Sequence, residues 1–157
     1  MMTTKVAGAF AIDDPIPGGP MYGITFNYLA VLVAALATFA LGALWYMPLF
    51  GKLWLKEHAY TPAQLEQMKG TAPRAYGVSF AAYLVVALVL SALIQLTGII
   101  RWQGGLKLGA LCWLGFAATI GLTANMYSEK KFSTFVIDAG YQLVYLMMMG
   151  AILAAWR

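Results

Sequence analysis

The chain has 157 residues, 62% of them hydrophobic and only 10% charged, with a formal net charge of +4. A soluble domain is about 45–50% apolar and roughly 25% charged, so an ordinary water-exposed globule is excluded. Disorder, a collagen helix and a disulfide-stapled fold built on one Cys are excluded as well. The composition is that of an integral membrane protein. An open sheet cannot span lipid, and no stretch alternates as a barrel strand must, so the expected fold is all-α, a bundle of four transmembrane helices.

Residues 1–23 read as an N-terminal extension. Its apolar run from Val6 to Ile12 is too short and too broken for a signal-peptide core. Asp13-Asp14-Pro15-Ile16-Pro17-Gly18-Gly19-Pro20 follows, a stiff coil that cannot be helix. Asp13, Asp14, Pro15 and Pro17 are its candidate partner contacts.

A bilayer core of about 30 Å needs roughly 20 apolar residues per helix. Within the single domain 24–157, four stretches qualify: 24–47, 75–100, 106–126 and 132–156. In the loop after the first, Thr61-Pro62-Ala63-Gln64 is a capping-box pattern with Pro at the first helical position. It predicts a short interfacial helix from about Pro62 to Lys69, stopped by Gly70. Pro48 and Pro73 are expected at helix boundaries. Trp45, Tyr46, Trp54, Tyr76, Trp102, Trp113 and Trp156 are expected in the interfacial aromatic belts.

Lys52, Lys56, Lys69 and Arg74 lie in the first loop, and Lys130 and Lys131 in the third. The opposite side has Arg101, Lys107 and Arg157, with Lys5 far from any span. The positive-inside rule therefore places both termini outside and the basic loops in the cytoplasm. The net positive charge favours contact with anionic lipid. It is not a nucleic-acid footprint, because no basic patch with interleaved aromatics lies outside the spans.

Small residues recur every four positions: Ala34, Thr38 and Gly42; Ala87 and Ser91; Gly105 and Gly109; Ala117 and Gly121; Gly150 and Ala154. Such seams let helices approach closely. The last span carries more than one small face, so Gly150 and Ala154 are candidate partner contacts.

Two segments together resemble a family pattern. One is Trp45-Tyr46-Met47-Pro48-Leu49-Phe50-Gly51-Lys52-Leu53-Trp54. The other is Asn125-Met126-Tyr127-Ser128-Glu129-Lys130-Lys131, followed by Asp138-Ala139-Gly140-Tyr141-Gln142. From about Asn27 to Trp156 the chain is similar to the bacterial membrane family known as domain of unknown function 1761. The resemblance implies a small four-helix protein of the bacterial inner membrane and implies no activity.

Ionisable side chains inside a bilayer are functional candidates by default, and Asp138 is the one that clearly enters a span. Asp138, Tyr141, Gln142 and Tyr145 share a helical face. The adjoining helix ends supply Asn125, Glu129, Tyr46 and Lys52. Two accounts of this polar cluster stand open. In one, Asp138 pairs with Lys52, Arg74 or Lys131 and locks the loops to the bundle. In the other, the cluster binds an ion, a lipid head group or a solute.

Signals for catalysis are poor. His58 lies alone in a loop, and Cys112 lies mid-span with no base near it in sequence. There is no metal-ligand spacing and no glycine-rich phosphate loop, so neither cofactor nor metal is expected. The expected function is non-catalytic: an accessory subunit steadying a larger membrane complex, respiratory or photosynthetic in type. The alternative is a small transporter or a lipid- or solute-binding protein centred on Asp138.

Overall fold

The computed structural model describes residues 23–128 and 131–156. The contacts expected of Asp13, Asp14, Pro15 and Pro17, and the place of Glu129, lie outside the described residues. The described residues are helical with short connections and contain no strand. Four helices are long and apolar enough to cross a membrane.

Helix α1 spans Tyr28–Leu44. The Asn27 side chain caps it by accepting from the Ala30 amide at 3.0 Å. The helix continues into a wider π-helical turn, Trp45–Leu49, that contains Pro48. The turn is closed by the Phe50 amide donating to the Trp45 carbonyl at 2.8 Å. Helix α2, Gly51–His58, follows at once. Only glycine fits at position 51, because an added Cβ would lie 2.5 Å from the Tyr46 carbonyl oxygen. Leu53 and Leu55 are exposed beside exposed Lys52 and Lys56, the pattern of a helix lying in the membrane interface.

Helix α3 spans Pro62–Leu96, 35 residues. The capping box at Thr61 and Gln64 forms, with Pro62 in the first turn. The separate helix expected over Pro62 to Lys69 does not: those residues are the opening turns of α3, and the short interfacial helix is α2. Gly70 and Pro73 lie inside α3, not at its ends. Pro73 removes one backbone donor and Gly70 weakens one turn. Stopping there would instead orphan a full set of terminal carbonyls close to lipid. At about 1.5 Å per residue α3 is roughly 52 Å long, well beyond the hydrocarbon core. Its first turns therefore stand clear of the bundle.

The third span is not a uniform helix either. Helix α4, Trp102–Cys112, leads into a π-helical turn, Trp113–Ala118, and then into α5, Thr119–Tyr127. Trp113 thus sits about 16 Å along the span, not at its end. Helix α6 is Phe132–Ala155.

Helices α1, α3 and α6 share a core of small and branched residues, among them Ala30, Ala34, Ala87, Leu90, Ile94, Met149 and Leu153. The closest seam joins α4 to α6. A Cβ added to Gly105 would lie 2.0 Å from the Gly150 carbonyl oxygen, and one on Gly109 would lie 2.2 Å from that of Leu146. Backbone therefore packs on backbone. This corrects the expectation for Gly150 and Ala154. Both are buried within the chain against Gly105 and are not available to a partner.

Candidate functional site

The polar cluster forms around α6, with donors different from those expected. The Asp138 Oδ1 accepts from the Tyr46 hydroxyl at 2.8 Å and from the Trp54 indole Nε1 at 3.1 Å. Tyr46 comes from the π-helical turn and Trp54 from α2. One carboxylate oxygen therefore ties α6 to the end of α1 and to the interfacial helix. Among the described residues, lysine and arginine take no part. Lys52 is exposed without an ion pair among the described residues, and Lys131 pairs with Glu57 at 3.5 Å. The cationic lock expected for Asp138 is replaced by two neutral donors, which bring no second charge into a partly desolvated place.

The same turn of α6 is gripped from two further sides. Trp45 Nε1 donates to the Ile137 carbonyl at 3.2 Å, and Trp113 Nε1 donates to the Ala139 carbonyl at 2.8 Å. Each of these tryptophans opens a π-helical turn. The widened turns coincide with indoles that bracket Asp138. Trp45, Trp54 and Trp113 are thus half-buried anchors, each bonded through its indole to α6. A partly buried indole N–H needs an acceptor, and α6 supplies all three.

Deeper in the bundle, Tyr141 is buried, and its hydroxyl lies 3.0 Å from both the Thr38 carbonyl and the Tyr83 hydroxyl. A phenol has one proton, so Tyr141 donates to the carbonyl and accepts from Tyr83. Tyr46, Tyr141 and Tyr145 stack edge-on or tilted, with centroids 5.1–5.3 Å apart. Tyr145 lies 5.6 Å from Tyr83. On the aqueous side, Trp54 meets His58 at 4.0 Å, and His58 stacks on Tyr60 at 5.0 Å. Burial raises the Tyr60 phenol above its ordinary range, and the nearby Asp138 charge adds to the shift.

Of the residues expected in the cluster, Asp138, Tyr46 and Tyr141 come together. Gln142 is half-buried on α6, and Asn125 is buried near the end of α5, engaged by another group. The hydrogen bonds shown for Asp138 come from Tyr46 and Trp54, not from Gln142. No buried side-chain nitrogen or oxygen is sealed without a partner among the described residues, and no group of three His, Cys, Asp or Glu there could hold a metal ion. The bonds from Trp45, Tyr46, Trp54 and Trp113 tie three other helical segments to one turn of α6. The donors that sequence reasoning missed are Trp45, Trp54 and Trp113. Their signal was present as indoles within or beside apolar spans, each needing an acceptor.

A peripheral clamp adds to this. Ser133, at the start of α6, donates to Glu57 Oε2 at 2.7 Å. That hydrogen bond, helped by Lys131, holds the Glu57 carboxyl below its ordinary range. A depressed carboxylate stabilises the fold at pH above its unfolded value, about 4.3. The contribution fades as pH falls through the lower folded value. The protection of the α2 amides from hydrogen exchange, taken relative to the intrinsic rate at each pH, should therefore fall below about pH 4, and Glu57→Gln should flatten that dependence. An identical acid response in both proteins would refute the clamp.

Four long apolar helices around a closed aromatic and carboxylate centre define a multi-pass α-helical membrane protein. Residues 29–154 match the family described as "Protein of unknown function (DUF1761)". The match covers most of the chain, and the chain belongs to that family. Comparison with curated proteins and with solved structures gave no significant match.

Proposed function

We propose that this protein is a non-catalytic accessory subunit that packs laterally against another membrane protein. The observation that carries this reading is the third span. Its α4 half is clasped by α6, whereas from the π-helical turn onward the helix offers a face unused among the described residues. Gly115, Thr119 and Thr123 recur every four residues and are exposed. A side chain at Gly115 would meet nothing within 4 Å. Thr119, Ile120, Thr123 and Ala124 line a shallow groove of about 430 Å³, and Phe116 and Ile120 on this stretch are both 66% exposed. Only 11% of the most apolar stretch of this span is buried within the chain, against 39% for α6.

Lipid covers any apolar helix, but small residues spaced by four favour a second helix, because they let its backbone come close. The threonine hydroxyls are already bonded to their own helix: Thr119 Oγ1 to the Gly115 carbonyl at 2.9 Å and Thr123 Oγ1 to that of Thr119 at 3.0 Å. They add no polar penalty to such a seam. We place the α2 loop and its lysines on the cytoplasmic side and both termini outside, from the balance of basic residues.

Extraction in mild detergent tests the subunit reading. A second polypeptide should co-purify at fixed ratio and dissociate when Thr119 and Thr123 are both changed to Leu. A chain that runs alone, or only with copies of itself, refutes it.

A further inference from the structure

At the end of the bundle opposite Asp138 lies a cavity of about 320 Å³ between α1, α3 and α6. Its volume is at the lower end of the range of small-ligand sites, about 300–1,000 Å³. Ala30, Ile94 and Leu153 form an apolar floor, while Asn27, Ser91 and Trp156 supply polar edges. The wall is preformed. The Gln95 side chain accepts from the Thr25 amide at 3.0 Å and donates to the Thr25 carbonyl at 2.9 Å, so it pins the segment before α1 as a backbone partner would.

Three donors here are unused among the described residues. Ser91 is 9% exposed, and its hydroxyl has no hydrogen-bond partner among the described residues. No side-chain polar atom there is both sealed and unpartnered, so this hydroxyl meets open space, and the open space beside it is the cavity. The Asn27 carbonyl oxygen caps α1, while its amide nitrogen and the Trp156 indole N–H have no hydrogen-bond partner among the described residues. All three groups can donate, and the carboxylates of the described chain lie at the other end. The amino end of α1 also opens onto this site, and a helix amino end favours an anion. Arg101, exposed in the connection between α3 and α4, stands on the same side of the membrane.

We infer that this cavity binds a phosphate ester, its oxygens accepting from Ser91, Asn27 and Trp156 and its apolar remainder resting on Ile94 and Leu153. A membrane phospholipid head with its glycerol is the source that this depth and mixed lining suit. The inference is independent of the subunit reading, since it concerns another face and another ligand.

The test uses the full-length protein, delipidated in a mild detergent. It is titrated separately with phosphatidylglycerol and with inorganic phosphate. Bound molecules are counted by native mass spectrometry, and the midpoint of thermal unfolding is followed. One phospholipid should bind per chain and raise the midpoint. Ser91→Ala, which removes the hydroxyl without changing the packing, should weaken binding about tenfold, as expected for one lost charge-assisted hydrogen bond of roughly 1.5 kcal/mol. Ser91→Leu, which fills the cavity, should abolish it. Saturation by inorganic phosphate with the same loss in both variants would uphold the phosphate site and identify a free anion as its source. Equal lipid binding in the wild type and both variants, at unchanged circular dichroism, would overturn the inference. So would binding of neither probe to the folded wild type.

Discussion

Gly105→Val will keep α4 and α6 from closing. The atoms that a side chain would strike at position 105 are the Gly150 carbonyl, 2.0 Å from an added Cβ, and the Ala154 Cβ at 2.6 Å. A flexible side chain could swing aside; a helix backbone cannot. Relief requires the helices to separate along the seam, which also opens the Gly109–Leu146 approach one turn further on. Lipid offers no hydrophobic force to hold separated helices together, so lost packing is lost stability. Overpacking typically costs about 1–3 kcal/mol where side chains can yield. Here Gly105→Ala should fall at the upper end of that range and Gly105→Val beyond it. Thermal unfolding in detergent, followed by circular dichroism, reads the loss. The control is Gly77→Ala on α3, where nothing lies within 4 Å of the added Cβ. It should be neutral or more stable by up to about 1 kcal/mol, the difference in helix propensity. Equal effects at the two glycines would mean that the α4–α6 seam is not the close contact described.

Asp138→Leu should be the most damaging change outside that seam. It removes the acceptor of both the Tyr46 hydroxyl and the Trp54 indole. Hydrogen bonds to a charged group contribute about 1.5–3 kcal/mol each, and two partly buried donors would be left without a partner. The combined loss should be about 3–5 kcal/mol, because removal of one partner from a desolvated polar group leaves the others uncompensated. Asp138→Asn keeps an oxygen at the same place and should lose about half as much. The damage should be local as well as global. With Trp54 released, α2 detaches first, so tryptophan emission shifts to the red and protease cuts between α2 and α3 before the bundle unfolds. If Asp138→Leu unfolds with the wild-type midpoint, the carboxylate does not hold α2 to α6.

The two changes show how unevenly the architecture was legible from residues alone. Span number and helical class followed from composition and run length, because lipid leaves a chain so few choices. Asp138 stood out for the same reason, as a carboxylate within an apolar helix. Its partners did not. Lys52, Arg74 and Lys131 were the obvious candidates, but long basic side chains at an interface can reach water. The donors that came instead were an indole and a phenol, carried inward by a π-helical turn. Such a turn inserts one residue into the helical repeat and has no composition of its own, so neither Trp45–Leu49 nor Trp113–Ala118 was visible in the periodicity. Gly70 and Pro73 misled in the opposite way. Both are helix stops in water, yet near a membrane the uncapped end they would create is worse than the weakened turn. Gly150 and Ala154 illustrate a third limit. A small-residue face announces a close approach without saying whether its partner is in the same chain, and here the partner was Gly105.

The face from Gly115 to Thr123 has no such partner among the described residues, and the subunit proposal turns on it. The most direct measurement is the mass of the particle that carries this 17.0 kDa chain, extracted from its own membrane in lipid discs without detergent. The proposal predicts a single heavier species containing one other polypeptide at fixed ratio, lost when Thr119 and Thr123 are replaced by Leu. Particles holding only this chain and lipid, unchanged by that replacement, would contradict it.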